Sequence, residues 1–155
     1  MWYSLDMRND IRMCFRDGHE WRISHFKMSE FENPRGYVMV DDSVLRSLEG
    51  VRESLGKEYE VEVEVLVTDG FRTVEDNEKL AAVVGWCEDG GLVAKDSQHL
   101  EVHGGIAVDI VARYRVGGAW VRVEQSKVAA SCRDHFEYVQ ADYEDGHVHA
   151  DNRKT

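Results

Sequence analysis

"GGIAVDIVA", residues 104–112, is an apolar run of the kind that fills the middle of a sheet, yet it carries a carboxylate, Asp109, at its centre. A strand's two-residue period puts Ala107, Asp109 and Val111 on one face and Ile106, Val108 and Ile110 on the other. An ionised Asp removed from water without a partner costs about several kcal/mol, so something must neutralise Asp109. The nearest cations in sequence, Lys95 and Arg113, fit poorly. Arg113 shares the face but lies roughly 13 Å along the strand. The close neighbours are His99 and His103, which points to a metal ion if a further ligand exists.

That ligand is available in "HVHAD", residues 147–151, where the same period sends His147 and His149 to one side and Val148 to the other. Zinc takes His nitrogen and Asp oxygen, and a catalytic zinc site keeps three protein ligands with one position open. One histidine from the loop at 99–103, Asp109 and one histidine from the last strand make such a set.

The rest of the chain supplies a setting. "SVLRSLEGVRESL", residues 43–55, places Val44, Leu45, Leu48, Val51 and Leu55 on one helical stripe, with Asp41, Asp42 or Ser43 as cap and Gly56 as the stop. "EVEVEVLV", residues 60–67, alternates as a strand with one wet face. "TDGFRT" reads as a turn, and Thr73 with Asp76 makes a capping box opening a helix through Leu80, Ala81 and Val84 that ends at Gly85. "GIAVDIVARY" and "AWVRVE" form a hairpin across Gly117 and Gly118, a helix follows from about Lys127 to Tyr138, and "HVHAD" is a last strand. Locally paired strands with interspersed helices predict an α+β fold, a small antiparallel sheet flanked by helices.

With 155 residues, 43% of them hydrophobic, and no linker or repeat, residues 1–155 are expected to form one domain. The net charge of -11 and the lack of basic clusters exclude a nucleic-acid partner. Cys14, Cys87 and Cys132 are too widely spaced for a Cys-type zinc site, so free thiols in a reducing compartment are expected. No run of about 18 apolar residues occurs, so no membrane insertion is expected, and the chain is read as made in the cytoplasm without a signal peptide.

"TDGFRTVEDNEKLA", "SQHLEVHGGIAVDI" and "HVHAD", in that order, resemble the zinc D-alanyl-D-alanine peptidases of the hedgehog/DD-peptidase fold. "FKMSEFENPRGYVMVDDSVLRSLEGVRESLG" is similar to the phage-type branch of that family. The resemblance spans about residues 26–153 and leaves the first 25 without a reading. It implies Zn2+ as cofactor, with His99, Asp109 and His149 as ligands and Arg72 as the residue that holds and polarises substrate. Ser97 sits at the motif's serine and His147 at a histidine of the catalytic machinery. The segment between His99 and Asp109 is longer than the family's, through the extra residues of "LEVHGG", which makes His103 a competing ligand. Glu144-Asp-Gly-His147 also matches a Glu-x-x-His pattern, on which Glu144 is the catalytic base and His147 the ligand. Tyr143 and Asp145 are read as ordinary loop residues.

The function implied is hydrolysis of an amide in the peptidoglycan stem peptide, as a carboxypeptidase or murein endopeptidase of endolysin type. Such a protein would work as a monomer on the cell wall, after release or as a bacteriophage component. The alternative is a non-catalytic zinc-binding module of the same fold, serving in cell-wall binding or virion structure.

Overall fold

Ala107–Val116 (β4) is a ten-residue strand paired along both edges in the computed structural model, which describes residues 11–154. Val63–Asp69 (β3) runs antiparallel along one edge. The other edge is shared: Val148–Asp151 (β7) pairs with its first half, and Ala119–Arg122 (β5) turns back on its second half. Tyr138–Gln140 (β6) extends the sheet beyond β7. The hairpin across Gly117 and Gly118 is present as expected.

The alternation in β4 sorts the sheet into two faces. Val108, Ile110 and Ala112 are fully buried, as are Val148 and Ala150 on β7, and Val63 and Val65 on β3 join them. Two helices cover this face. Asp42–Tyr59 (α1) contributes Val44, Leu45, Leu48, Val51 and Leu55, and Gln125–Arg133 (α3) contributes Val128, Ala129 and Cys132. The opposite face, which carries Asp109, is left free of both helices.

The protein is α+β, with an antiparallel sheet backed by helices. Among the described residues, no helix is long and apolar enough to cross a membrane.

Several boundaries differ from the expected ones. Gly56 does not stop α1, which continues to Tyr59 and ends at Glu60, a non-glycine residue that takes a positive φ. Lys57 and Glu58 favour helix, and the extra turn lets Tyr59 stack on Tyr114 with ring centres 4.9 Å apart. Glu60 and Val61 are spent closing that helix end through the Gly56 carbonyl, so β3 starts at Val63 rather than Glu60 and runs on through Asp69. The third helix ends at Arg133, not Tyr138, because the Cys132 carbonyl takes the amides of His135 and Phe136 and Tyr138 is drawn into pairing with β7.

Val74–Val84 (α2) opens on the Thr73–Asp76 capping box and closes at Gly85. Part of the N-terminal stretch left without a reading forms a separate antiparallel hairpin, Arg12–Asp17 (β1) with Glu20–Lys27 (β2). Its Phe15 and Phe26 pack into the core beside α1.

A candidate metal centre

The register of β4 on β7 sets Asp109 directly beside His149. His99 arrives from the loop before β4, which is held by a short parallel bridge: the Arg72 amide donates to the His99 carbonyl at 2.6 Å, and the Glu101 amide to the Arg72 carbonyl at 2.8 Å. The three side chains meet. His99 Nε2, Asp109 Oδ1 and His149 Nδ1 form a triangle with every side 3.1 Å.

Hydrogen bonds behind the triangle fix which nitrogens face inward. His99 Nδ1 donates to the Gly70 carbonyl at 2.5 Å, and His149 Nε2 donates to Asp151 Oδ2 at 2.7 Å. A carbonyl and a carboxylate only accept, so each ring, when neutral, spends its N–H outward and turns its lone pair to the centre. Asp151 is fully buried and receives Arg153 through Nε and Nη2 at 2.8 and 2.7 Å. Three lone pairs that close repel one another unless a metal ion or a proton lies among them.

The donor set fits zinc: bonds of about 2.0–2.1 Å in a tetrahedral array put neighbouring ligand atoms roughly 3.3 Å apart. A histidine backed by a buried carboxylate is the arrangement that orients metal-binding imidazoles. His99, Asp109 and His149 form a group that can hold a metal ion.

The same crowding sets proton affinities. Burial works to raise the Asp109 pKa, but hydrogen bonds from His149 and His99 outweigh it and hold the carboxyl well below the usual range. Burial works to lower that of His149, yet its hydrogen bonds to Asp109 and Asp151 push it up to about 9.

His147 stands at the rim, just before β7. Its ring stacks on Tyr143 with centres 3.9 Å apart, its Nδ1 bonds to Asp145 Oδ1 at 2.5 Å, and its Nε2 lies 3.7 Å from Asp109 Oδ2. Gln125, at the start of α3, pins this loop by donating to the carbonyls of Tyr143 and His147. Tyr143 and Asp145 thus line the site and are not ordinary loop residues. Burial, with Asp109 nearby, pushes the Tyr143 phenol up to about 12.

Arg72 lies across the cleft, its side chain largely covered. Its Nη2 donates to Ser97 Oγ at 3.1 Å, and its Nε is 3.6 Å from Asp69 Oδ2. Ser97 Oγ also accepts the His99 amide at 3.2 Å, so this serine couples Arg72 to the His99 loop. Asp69, expected in a turn, instead pairs with Asp109 in register at the end of β3. Burial, helped by the charge of Asp109, raises its pKa despite His99 and Arg72.

Two candidates lie elsewhere. His103 is in a short turn, with Nε2 3.3 Å from Asp96, apart from the triangle. Glu144 is exposed and does not line the cleft, so the structure does not bring the alternative base to the site. The cleft itself encloses about 780 Å³, with Leu80, Val84 and Leu92 forming an apolar wall on the α2 side. No family model matches the chain, and no curated protein matches it.

Proposed function

We propose that the protein is a zinc-dependent peptidase of the hedgehog/DD-peptidase fold that hydrolyses an amide in the peptidoglycan stem peptide, in the manner of an endolysin or a D-alanyl-D-alanine carboxypeptidase. The observation that carries this reading is the convergence of His99 Nε2, Asp109 Oδ1 and His149 Nδ1, each 3.1 Å from the others, at the floor of an open cleft. The order of the motifs in the sequence supports the substrate class.

Those three atoms would hold the zinc, and zinc supplies the Lewis acidity that makes hydroxide available near neutral pH. His147 would move the protons. Asp145 keeps hydrogen on Nδ1, which leaves the Nε2 lone pair facing the cleft to accept a proton from water and return it to the leaving amine. Tyr143 stacked beneath the ring limits its swing.

Arg72 would bind a substrate carboxylate or the charge that develops on the carbonyl oxygen. Its Nη2 is given to Ser97 and its Nε is buried beside Asp69, so contact with substrate falls to Nη1. Ser97 positions both Arg72 and His99.

The test is zinc stoichiometry of the purified chain measured beside release of new amino groups from purified peptidoglycan. One zinc per chain with zinc-dependent release supports the reading. Zinc without release would leave a binding module of the same architecture.

A further inference from the structure

The sheet face that carries the cluster does not end there. Beyond Asp109, β4 presents Val111 and then Arg113 on the same side, opposite Leu66 and Glu64 of β3, while β5 sets Arg122 opposite Arg113. Leu66, Val111, Arg113 and Arg122, with Trp120, line a hollow of about 370 Å³. Thr68, Asp145 and His147 are walls of both this hollow and the metal cleft, so the two spaces join at His147.

The chemistry of the hollow departs from that of the chain. The protein carries a net charge of -11, yet two arginines, Arg113 and Arg122, line this hollow, and Arg115 stacks beside it on Trp120. The guanidinium carbons of Arg113 and Arg115 lie 4.0 and 4.5 Å from the centre of the Trp120 ring. Stacking on an indole orients a guanidinium and leaves its N–H edge free.

Little of that edge is used. Arg113 gives Nη2 to the two Glu64 carboxylate oxygens at 3.3 and 3.4 Å and has its Nε buried, which leaves Nη1 for a ligand. Arg122 gives Nη2 to the Asp145 carbonyl at 3.0 Å. The Asp145 carboxylate is already engaged by His147. A guanidinium carries more donors than these contacts consume, in a fork that matches a carboxylate.

Spacing connects the hollow to the reaction. Arg113 follows Asp109 by four positions, roughly 13 Å of strand, and an extended peptide advances at the same rate per residue. We propose that Arg113, Arg122 and Trp120 form a second subsite, which takes a carboxylate-bearing residue of the substrate peptide about four positions from the scissile bond. The identity of that peptide rests on the peptidase reading above.

A synthetic stem peptide with its interior carboxylate free is compared with the same peptide amidated there, both mixed with the zinc-loaded full-length chain. Rapid-mixing tryptophan fluorescence gives Kd, and mass spectrometry of the same mixtures gives turnover. The free acid should bind at least about 10-fold more tightly than the amide. Arg113→Gln and Arg122→Gln should each bring the two peptides near parity with zinc content unchanged.

Equal affinities in the wild type, binding of neither peptide, or a preference that survives both substitutions overturns the subsite. Turnover without preference removes the subsite alone. Preference without turnover keeps the subsite and removes the peptidase reading.

Discussion

His99 Nε2 and His149 Nδ1 face each other at 3.1 Å while the second nitrogen of each ring is committed elsewhere, one to the Gly70 carbonyl and the other to the Asp151 carboxylate. Two imidazoles that approach through opposite nitrogens, each locked from behind, form a site arranged before any ion arrives. The energetic weight of the centre therefore rests partly on residues that touch no ion.

Asp151 is the most exposed to test. Replacing it with Ala frees His149 Nε2 and leaves Arg153 without its carboxylate, so zinc affinity should fall about 10–100-fold. Competition with a chromogenic chelator measures this; an unchanged affinity would show that His149 needs no support.

Ligand assignment separates two histidines. His99→Ala, Asp109→Ala and His149→Ala should each abolish stoichiometric zinc, whereas His103→Ala should retain it, because His103 is tied to Asp96 outside the cluster. Metal analysis after dialysis decides, and loss of zinc from the His103 variant would move the site.

These outcomes also mark how far the sequence could be read. Asp109 was conspicuous because a carboxylate inside an apolar strand needs a partner, and the His-x-His period supplied one without any knowledge of pairing. Asp151 and Gly70 were silent: their roles follow from the register of β7 on β4 and from a loop carbonyl, which no local pattern encodes. Asp145 and Tyr143 were missed for the same reason, since both act through a turn whose shape depends on Gln125 at the start of α3.

The N-terminal hairpin illustrates a different obstacle. Charges at Arg12, Arg16 and Arg22 blur the alternation of its strands, although Asp17-Gly18 is a hairpin signal and Gly18 adopts the positive φ such a turn needs. In α3, helix preference reached past Arg133, and only pairing with a strand distant in sequence turned Tyr138 into an extended residue.

Proton transfer offers a third prediction. His147→Gln removes the ring nitrogen that faces the cleft and leaves the three ligand atoms in place, since that nitrogen lies 3.7 Å from the other Asp109 oxygen, Oδ2. Turnover of stem peptide should drop by about 10²–10⁴-fold while zinc is retained. A small drop in steady-state rate would place the proton carrier elsewhere.

The metal-free protein should show a specific pH response. His149 is pushed up to about 9 in the folded state against an ordinary value of 6.5. A raised pKa in a base means stabilisation that is complete below about 6.5 and lost as pH climbs through 9. In chelator, Tm should therefore decline between those values, and zinc should flatten the decline because it replaces the proton. Differential scanning fluorimetry across that range checks it; a flat metal-free profile would contradict the hydrogen bonds assigned to His149.

Stability of the scaffold is the fifth test. Leu48 is fully buried where α1 meets the sheet, and Leu48→Ala should cost about 2–5 kcal/mol in denaturant unfolding. A cost below about 1 kcal/mol would mean that α1 does not carry the core.

The most direct measurement is mass spectrometry of defined muropeptides incubated with the zinc-loaded protein. The account predicts a pair of fragments from cleavage at a single stem amide, their masses summing to the parent plus one water, absent in chelator and absent with His149→Ala. Intact muropeptides from a chain that holds one zinc would contradict it.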